Sequence, residues 1–211
     1  DVVSESMVIA TPFPPDDRSV GYERGTSISK AWDSATTDGA IELAEYVTAH
    51  LRELAGLRDE SADREQLLRE FCARFAARAS RRPLSDELRE FYVDRRFQGA
   101  PDLDTAVRRV VLLVLKSPRF LYRELLSMGS LEAAASAANR TADAAVAHED
   151  TSPGVAPDPY NIASRLSFSL WDSLPDEALI QAAAAGELAN RDQIIQQAQR
   201  MVLDPRTRSK L

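Results

Sequence analysis

Two histidines and one cysteine are the side chains of this chain best suited to metal, redox or nucleophilic chemistry. To hold a metal ion, His50 or His148 would need a second histidine, a cysteine or a carboxylate at ligand spacing, and neither has one. Glu149 and Asp150 follow His148 directly, but adjacent residues rarely converge on one ion. No metal ligand is assigned, and a solvated histidine is the expectation at both positions. Cys72 could serve as a nucleophile only beside a base and in an electropositive, partly open setting. Arg74, Arg78 and Arg81 offer charge nearby, yet Cys72 shares a helical arc with Phe71 and Phe75 and is read as a small core hydrophobe. A single cysteine also leaves no intrachain disulfide and no thiolate metal site.

The charged residues form three further patterns. Arg69, Arg74, Arg78, Arg81 and Arg82 are the densest basic cluster and could meet a phosphate. No aromatic residues interleave for base stacking, so helix-end charge and salt bridges are the expected role. Asp16-Asp17 and Asp176-Glu177 are paired acids of the kind glycosidases use, but that chemistry needs carboxyls opposed across a bond, which adjacency does not give. After Pro175, Asp176-Glu177 is better explained as first-turn helix charge. The most site-like set is Asn161, Arg165, Phe168 and Asp172, on one arc of a helix whose core-facing arc carries Ile162, Ala163, Leu166 and Leu170. Arg165 and Asp172 stand about 10 Å apart along the helix rise, so each must look to other elements rather than to its counterpart. Together with Arg119, the residues Asn161, Arg165 and Asp172 make the candidate polar site. A structural contact between helices is the favoured reading of it, and no catalytic residue is assigned. Phosphate loops, nucleophile elbows and zinc-helix motifs are absent.

The elements that must position these residues are helices. Three prolines and two glycines break up residues 11–29 into a loop. Apolar spacing then predicts a helix over about 38–55, a second one capped by Ser61, and a third that starts at Ser85 after Pro83 and ends near Gly99. Val110 to Leu115 is apolar on every side and fits a buried strand or a buried helix; the acidic caps Asp102 and Asp104 and the lack of a hairpin partner favour the helix. Ser117-Pro118, Asp158-Pro159 and Asp204-Pro205 each open a new helix, because proline suits the first helical position. Helices are expected at about 159–172, 175–185 and 191–203, the last with a capping-box start at Asn190 and Gln193. Between 131 and 156 the chain is rich in alanine and small polar residues and reads as a linker or variable insertion, with a glycosylation-type triplet at Asn139-Arg140-Thr141. The expected fold is all-α. Residues 1–29 form a loop-rich tail of a preceding module, 30–128 a helical domain, 129–156 the linker, and 157–211 the first helices of a second module.

Composition excludes several function classes. A formal charge of -7 opposes a polyanionic partner, so nucleic acid is not an expected ligand. No apolar run approaches the roughly 18 residues of a membrane span. The chain starts at Asp1 without methionine and stops at Leu211 inside a starting helix, which suggests a processed or partial piece of a larger protein.

Three segments carry a family resemblance: PFPPDDRSVGYERG at Pro12 to Gly25, FCARFAARASRRPLSDELREFY at Phe71 to Tyr92, and the pair SPRFLYR and ASRLSFSLWDSLPDEAL within about 105–211. They resemble parts of three consecutive modules of the planctomycete-type secreted multidomain proteins, which are built from domains of unknown function and usually carry a c-type cytochrome segment. The resemblance implies a periplasmic or secreted home and neighbouring modules as partners, among them a cytochrome segment bearing haem c. The chain itself lacks Cys-x-x-Cys-His and so cannot attach haem c, and no cofactor is expected in it. Two functions stay open. The first is a non-catalytic structural or interaction module of a cytochrome-linked protein; the second is part of an extracytoplasmic oxidoreductase or polymer-degrading enzyme.

Overall fold

The computed structural model describes residues 7–14, 30–57, 63–122 and 158–210. Ser61, Asp16-Asp17, Asn139, His148 and the linker expected over 129–156 lie outside the described residues. The described residues are helical wherever they are regular, and no strand occurs among them, so the fold is all-α. The chain divides into two compact units, Asp1–Leu121 and Tyr122–Leu211.

In the first unit, α1 (Lys30–Ala49) and the short α2 (Leu51–Leu54) precede α3 (Arg64–Ala79). Helix α4 runs from Asp86–Arg89 through a π-helical stretch, Glu90–Asp94, into Arg95–Gln98. Then come α5 (Leu103–Leu115) and α6 (Pro118–Leu121). Helix α5 is the centre of the unit, packed on α1, α3 and α4. This is why Val110–Leu115 is apolar on every side: Val107, Val110 and Val111 are fully enclosed, and the strand alternative for Val110–Leu115 is excluded. The Asp102 carboxylate caps α5 by accepting from the Thr105 N–H at 2.7 Å and its hydroxyl at 2.9 Å. The Ser85 hydroxyl caps α4 through the Leu88 N–H.

Two boundaries differ from expectation. Helix α1 starts at Lys30 rather than near 38, because its polar first turns have no apolar period to read yet are fastened from elsewhere. The Lys116 ammonium, just past the end of α5, donates to the Asp33 carboxylate at 2.9 Å and to the hydroxyls of Thr36 and Thr37 at 3.1 and 2.8 Å. That helix also ends at Ala49 rather than near 55, with His50 out of helical geometry before α2. The buried stripe of α3 runs through Leu68, Cys72, Ala76 and Ala79, while the larger Phe71 and Phe75 sit half-buried at its sides. Small residues on the facing line let α3 come close to its neighbours.

The second unit consists of α7 (Pro159–Trp171), α8 (Glu177–Ala184), α9 (Arg191–Val202) and α10 (Pro205–Lys210). All of the other three pack against α7. Each start is fixed locally. Asp158 accepts from the Tyr160 N–H at 2.9 Å with Pro159 at the first helical position, Asp176 accepts from the Leu179 N–H at 2.9 Å, and Asn190 with Gln193 forms a full capping box. The core gathers Ala163, Trp171, Leu179, Ala182, Ala183, Leu188 and Met201. Among the described residues no helix is long and apolar enough to cross a membrane.

Candidate functional site

Helix α7 presents the polar set on one side and its core stripe on the other, but the deepest line is not the aliphatic one expected. Ala163, Ser164, Ser167 and Trp171 are buried, whereas Ile162, Leu166 and Leu170 are half-buried. Serine is acceptable there because its hydroxyl is satisfied: Ser167 Oγ donates to the Ser173 carbonyl at 2.8 Å, closing the turn after the helix. Asp172 ends α7 in the left-handed conformation, φ 54° and ψ 34°, which aspartate tolerates better than most residues.

Of the candidate residues, Asn161 and Phe168 are half-buried and Arg165 and Asp172 exposed on the second unit. Arg119 belongs to α6 of the first unit, and its backbone carbonyl accepts from Arg81 Nη2 at 2.8 Å. The left-handed φ of Asp172 gives that residue a structural task as the cap of α7.

Of the residues that cluster most tightly in the second unit, sequence reasoning read Asp176 as first-turn helix charge, and it is instead the N-cap of α8, with Glu177 in the first turn. Trp171 is 4% exposed, and its indole N–H donates to the Met201 carbonyl at 3.0 Å, at the end of α9. The Arg206 guanidinium lies 3.5 Å from the centre of its ring and that of Arg200 5.7 Å from it, both at cation–π range. Thr207 donates its hydroxyl to the same Met201 carbonyl at 2.8 Å. Each arginine is answered by a carboxylate: Arg200 reaches both oxygens of Asp176 at 2.7 and 3.1 Å, and Arg206 both oxygens of Asp204 at 2.9 and 2.8 Å. The hydrogen bond from the Arg206 side chain holds the Asp204 carboxyl down at about 2. For Asp176 partial burial works upward, but the Arg200 hydrogen bond, the Leu179 N–H and the two arginine charges outweigh it, so that its carboxyl is also lowered. The corner is charge-balanced and its groups are engaged with one another. Only spacings of 24 to 35 residues, invisible to local periodicity, separate Trp171 and Asp176 from Arg200 and Arg206.

The other groups suited to chemistry are occupied as well. Cys72 is fully enclosed, and burial pushes its thiol up to about 12, which keeps it protonated and unreactive. The His50 ring stacks on Tyr46 at 4.1 Å, and its Nδ1 donates to the Tyr46 carbonyl at 2.8 Å, so it serves as a local brace rather than standing free in solvent as expected. Two members of the basic cluster, Arg69 and Arg81, have structural tasks. Arg69 bridges Glu65 and Asp94 at 2.7 and 2.9 Å and covers the Phe97 ring, while Arg81 turns inward. Arg81 adopts φ 59°, is 6% exposed, and donates to the carbonyls of Ala79, Arg119 and Phe120. Burial, and then the charge of Arg82, hold its guanidinium below the ordinary value. Among the described residues no group of histidine, cysteine, aspartate and glutamate side chains converges on a metal position.

Residues 158–211 match the family described as PSD4, protein of unknown function (DUF1592). The match covers α7 to α10, so the Trp171 corner belongs to a segment similar to that domain. Neither the curated proteins nor the solved structures contain a match to the chain.

Proposed function

We propose that the chain is a non-catalytic structural or interaction module of a secreted, cytochrome-linked bacterial protein. The observation that carries this reading is the Trp171 corner. The most distinctive motif of the sequence ends in a buried indole whose N–H, and whose two neighbouring arginines, are taken up by Met201, Asp176 and Asp204. Such a corner joins helices and leaves no activated nucleophile, base or acid. The similarity of residues 158–211 to a domain of unknown function is compatible with a module of this kind. The secreted or periplasmic setting, and haem c on a separate segment as the partner, rest on the resemblance of the SPRFLYR and LWDSLPDEAL segments to cytochrome-associated proteins. The net charge of -7 suits a basic partner surface.

The test pairs binding with turnover. The purified chain is titrated with a small basic c-type cytochrome at low and high salt, while the haem absorption band reports its oxidation state. Salt-sensitive binding with no change of oxidation state supports the proposal. Catalysed oxidation or reduction of the cytochrome, lost on Arg165→Ala or Asp172→Asn with unchanged melting, would establish the enzymatic alternative.

A further inference from the structure

Residues 7–14 lie along α1 within the first unit and are held in a manner that core packing does not explain. The Glu42 carboxylate accepts the Ala10 N–H at 2.6 Å, the Thr11 N–H at 2.9 Å and the Thr11 hydroxyl at 2.7 Å. One turn earlier, Gly39 leaves the helix surface bare where Phe13 and Ile9 rest: a Cβ there would stand 3.5 Å from the Phe13 ring and 3.6 Å from the Ile9 methyl. Phe13 also meets Trp32 edge-on, with ring centres 6.0 Å apart. Ile9, Thr11 and Phe13 therefore face the helix while Val8, Ala10 and Pro12 face solvent, the alternation of an extended peptide. Pro12 and Pro14 bias Thr11 and Phe13 toward extended backbone, which lowers the ordering that docking requires.

The contact has the character of a bound ligand. Ile9, Phe13 and Trp32 stay 40%, 47% and 41% exposed, so the apolar part is a surface seat rather than a core. The polar part is a charged group gripping backbone N–H groups, which does not depend on side-chain identity. A glycine inside a helix weakens that helix, and at position 39 a Cβ would just reach van der Waals contact with the ring, so a side chain larger than alanine would displace it.

We propose that the face of α1 built from Trp32, Gly39 and Glu42 is a docking site for an extended peptide of the pattern Ile-x-Thr-x-Phe, whose occupant is this chain's own segment around Ile9, Thr11 and Phe13. The segment is exchangeable: it clips onto the helical unit in cis, and a copy offered in trans takes the same seat. This deepens the interaction-module reading without depending on its cytochrome link, and it is tested with no cytochrome present.

A fluorescently labelled peptide with the sequence of residues 7–14 is titrated into the full chain carrying Phe13→Asp, which disables the cis segment at an exposed position. Saturable anisotropy is expected, weakened by about tenfold or more when Glu42→Ala is added, as fits loss of hydrogen bonds to a charged acceptor, and similarly weakened by Gly39→Leu. No saturation up to about 1 mM, the effective concentration a short tether supplies, overturns the proposal. Hydrogen exchange in the otherwise unsubstituted chain is the second measurement, independent of how Phe13→Asp behaves. The Ala10 and Thr11 amides should exchange faster in Glu42→Ala while the α5 amides do not change. Equal exchange with and without Glu42 also overturns it.

Discussion

Cys72 and Arg81 came out of the sequence as neighbours in one basic, thiol-bearing segment, and the fold sends them to opposite fates. Cys72 disappears between α3 and α5, where an ionised sulfur would be unsolvated. A thiol reagent at mild alkaline pH should therefore leave it unlabelled in the folded chain and label one site per chain once denaturant unfolds it; labelling at the same rate in both conditions would contradict the enclosed position. Arg81 keeps its charge inside by spending its donors on three carbonyls. Arg81→Ala leaves those carbonyls short of a partner, and the expected loss in a denaturant melt is about 2 kcal/mol, the range for hydrogen bonds from a charged group. Arg81→Gly should lose about 1 kcal/mol less than Arg81→Ala, because glycine carries no penalty at φ 59°. Arg81→Lys should not rescue, since a single ammonium cannot span the fork.

At the scale of elements, local signals in the sequence went far. The capped starts at Ser85, Asp102, Asp158 and Asn190 were legible because a cap is made by residues two or three positions away. What was not legible depended on contacts distant in the chain. The first turns of α1 are held by Lys116, and Ser167 of α7 is buried with its hydroxyl satisfied by the Ser173 carbonyl. The π-helical widening at Glu90–Asp94 was not legible either, because its apolar residues Phe91, Tyr92 and Val93 read as ordinary helix. The polar arc of α7 was visible as a pattern, but the arginines that gather on Trp171 at the helix end, Arg200 of α9 and Arg206 of α10, come from later in the chain. Trp171 shows the consequence. The ring is buried at the corner before Pro175, with its N–H reaching onward to α9. Trp171→Ala should cost about 3 kcal/mol or more in a denaturant melt, as for other emptied aromatic sites. Trp171→Phe should fall between, because it keeps a ring under Arg206 but loses the bond to Met201. Arg165→Ala, at an exposed position, should change stability by about 0.5 kcal/mol or less. A Trp171→Ala chain as stable as the parent would make a binding role for the ring the better account.

Across the whole molecule, the acidic balance that argues against nucleic acid also sets the response to pH. Several carboxylates titrate below their ordinary values for one reason, hydrogen bonding to their charged form: Glu42 by the Ala10 N–H and then Thr11, Asp102 by the N–H and hydroxyl of Thr105, Asp204 by Arg206, and Asp176 by Arg200 against the upward pull of its own burial. Each therefore holds fewer protons folded than unfolded, so lowering the pH favours the unfolded chain. For Asp204 the contribution is complete above its ordinary value of 3.8 and disappears as pH falls through about 2. Denaturant melts should give a flat stability from neutral pH down to about 5, followed by a steep loss between about 4 and 2, where these groups take up protons. Asp204→Asn should be less stable than the parent at neutral pH, because Arg206 loses the nearer of its two carboxylate partners beside the Trp171 ring, and should show a shallower loss on acidification. Parallel acid profiles for Asp204→Asn and the parent would mean that the arginine corner does not carry the pH dependence. The acid loss would then have to arise elsewhere in a chain whose 33 acidic residues outnumber its 26 basic ones.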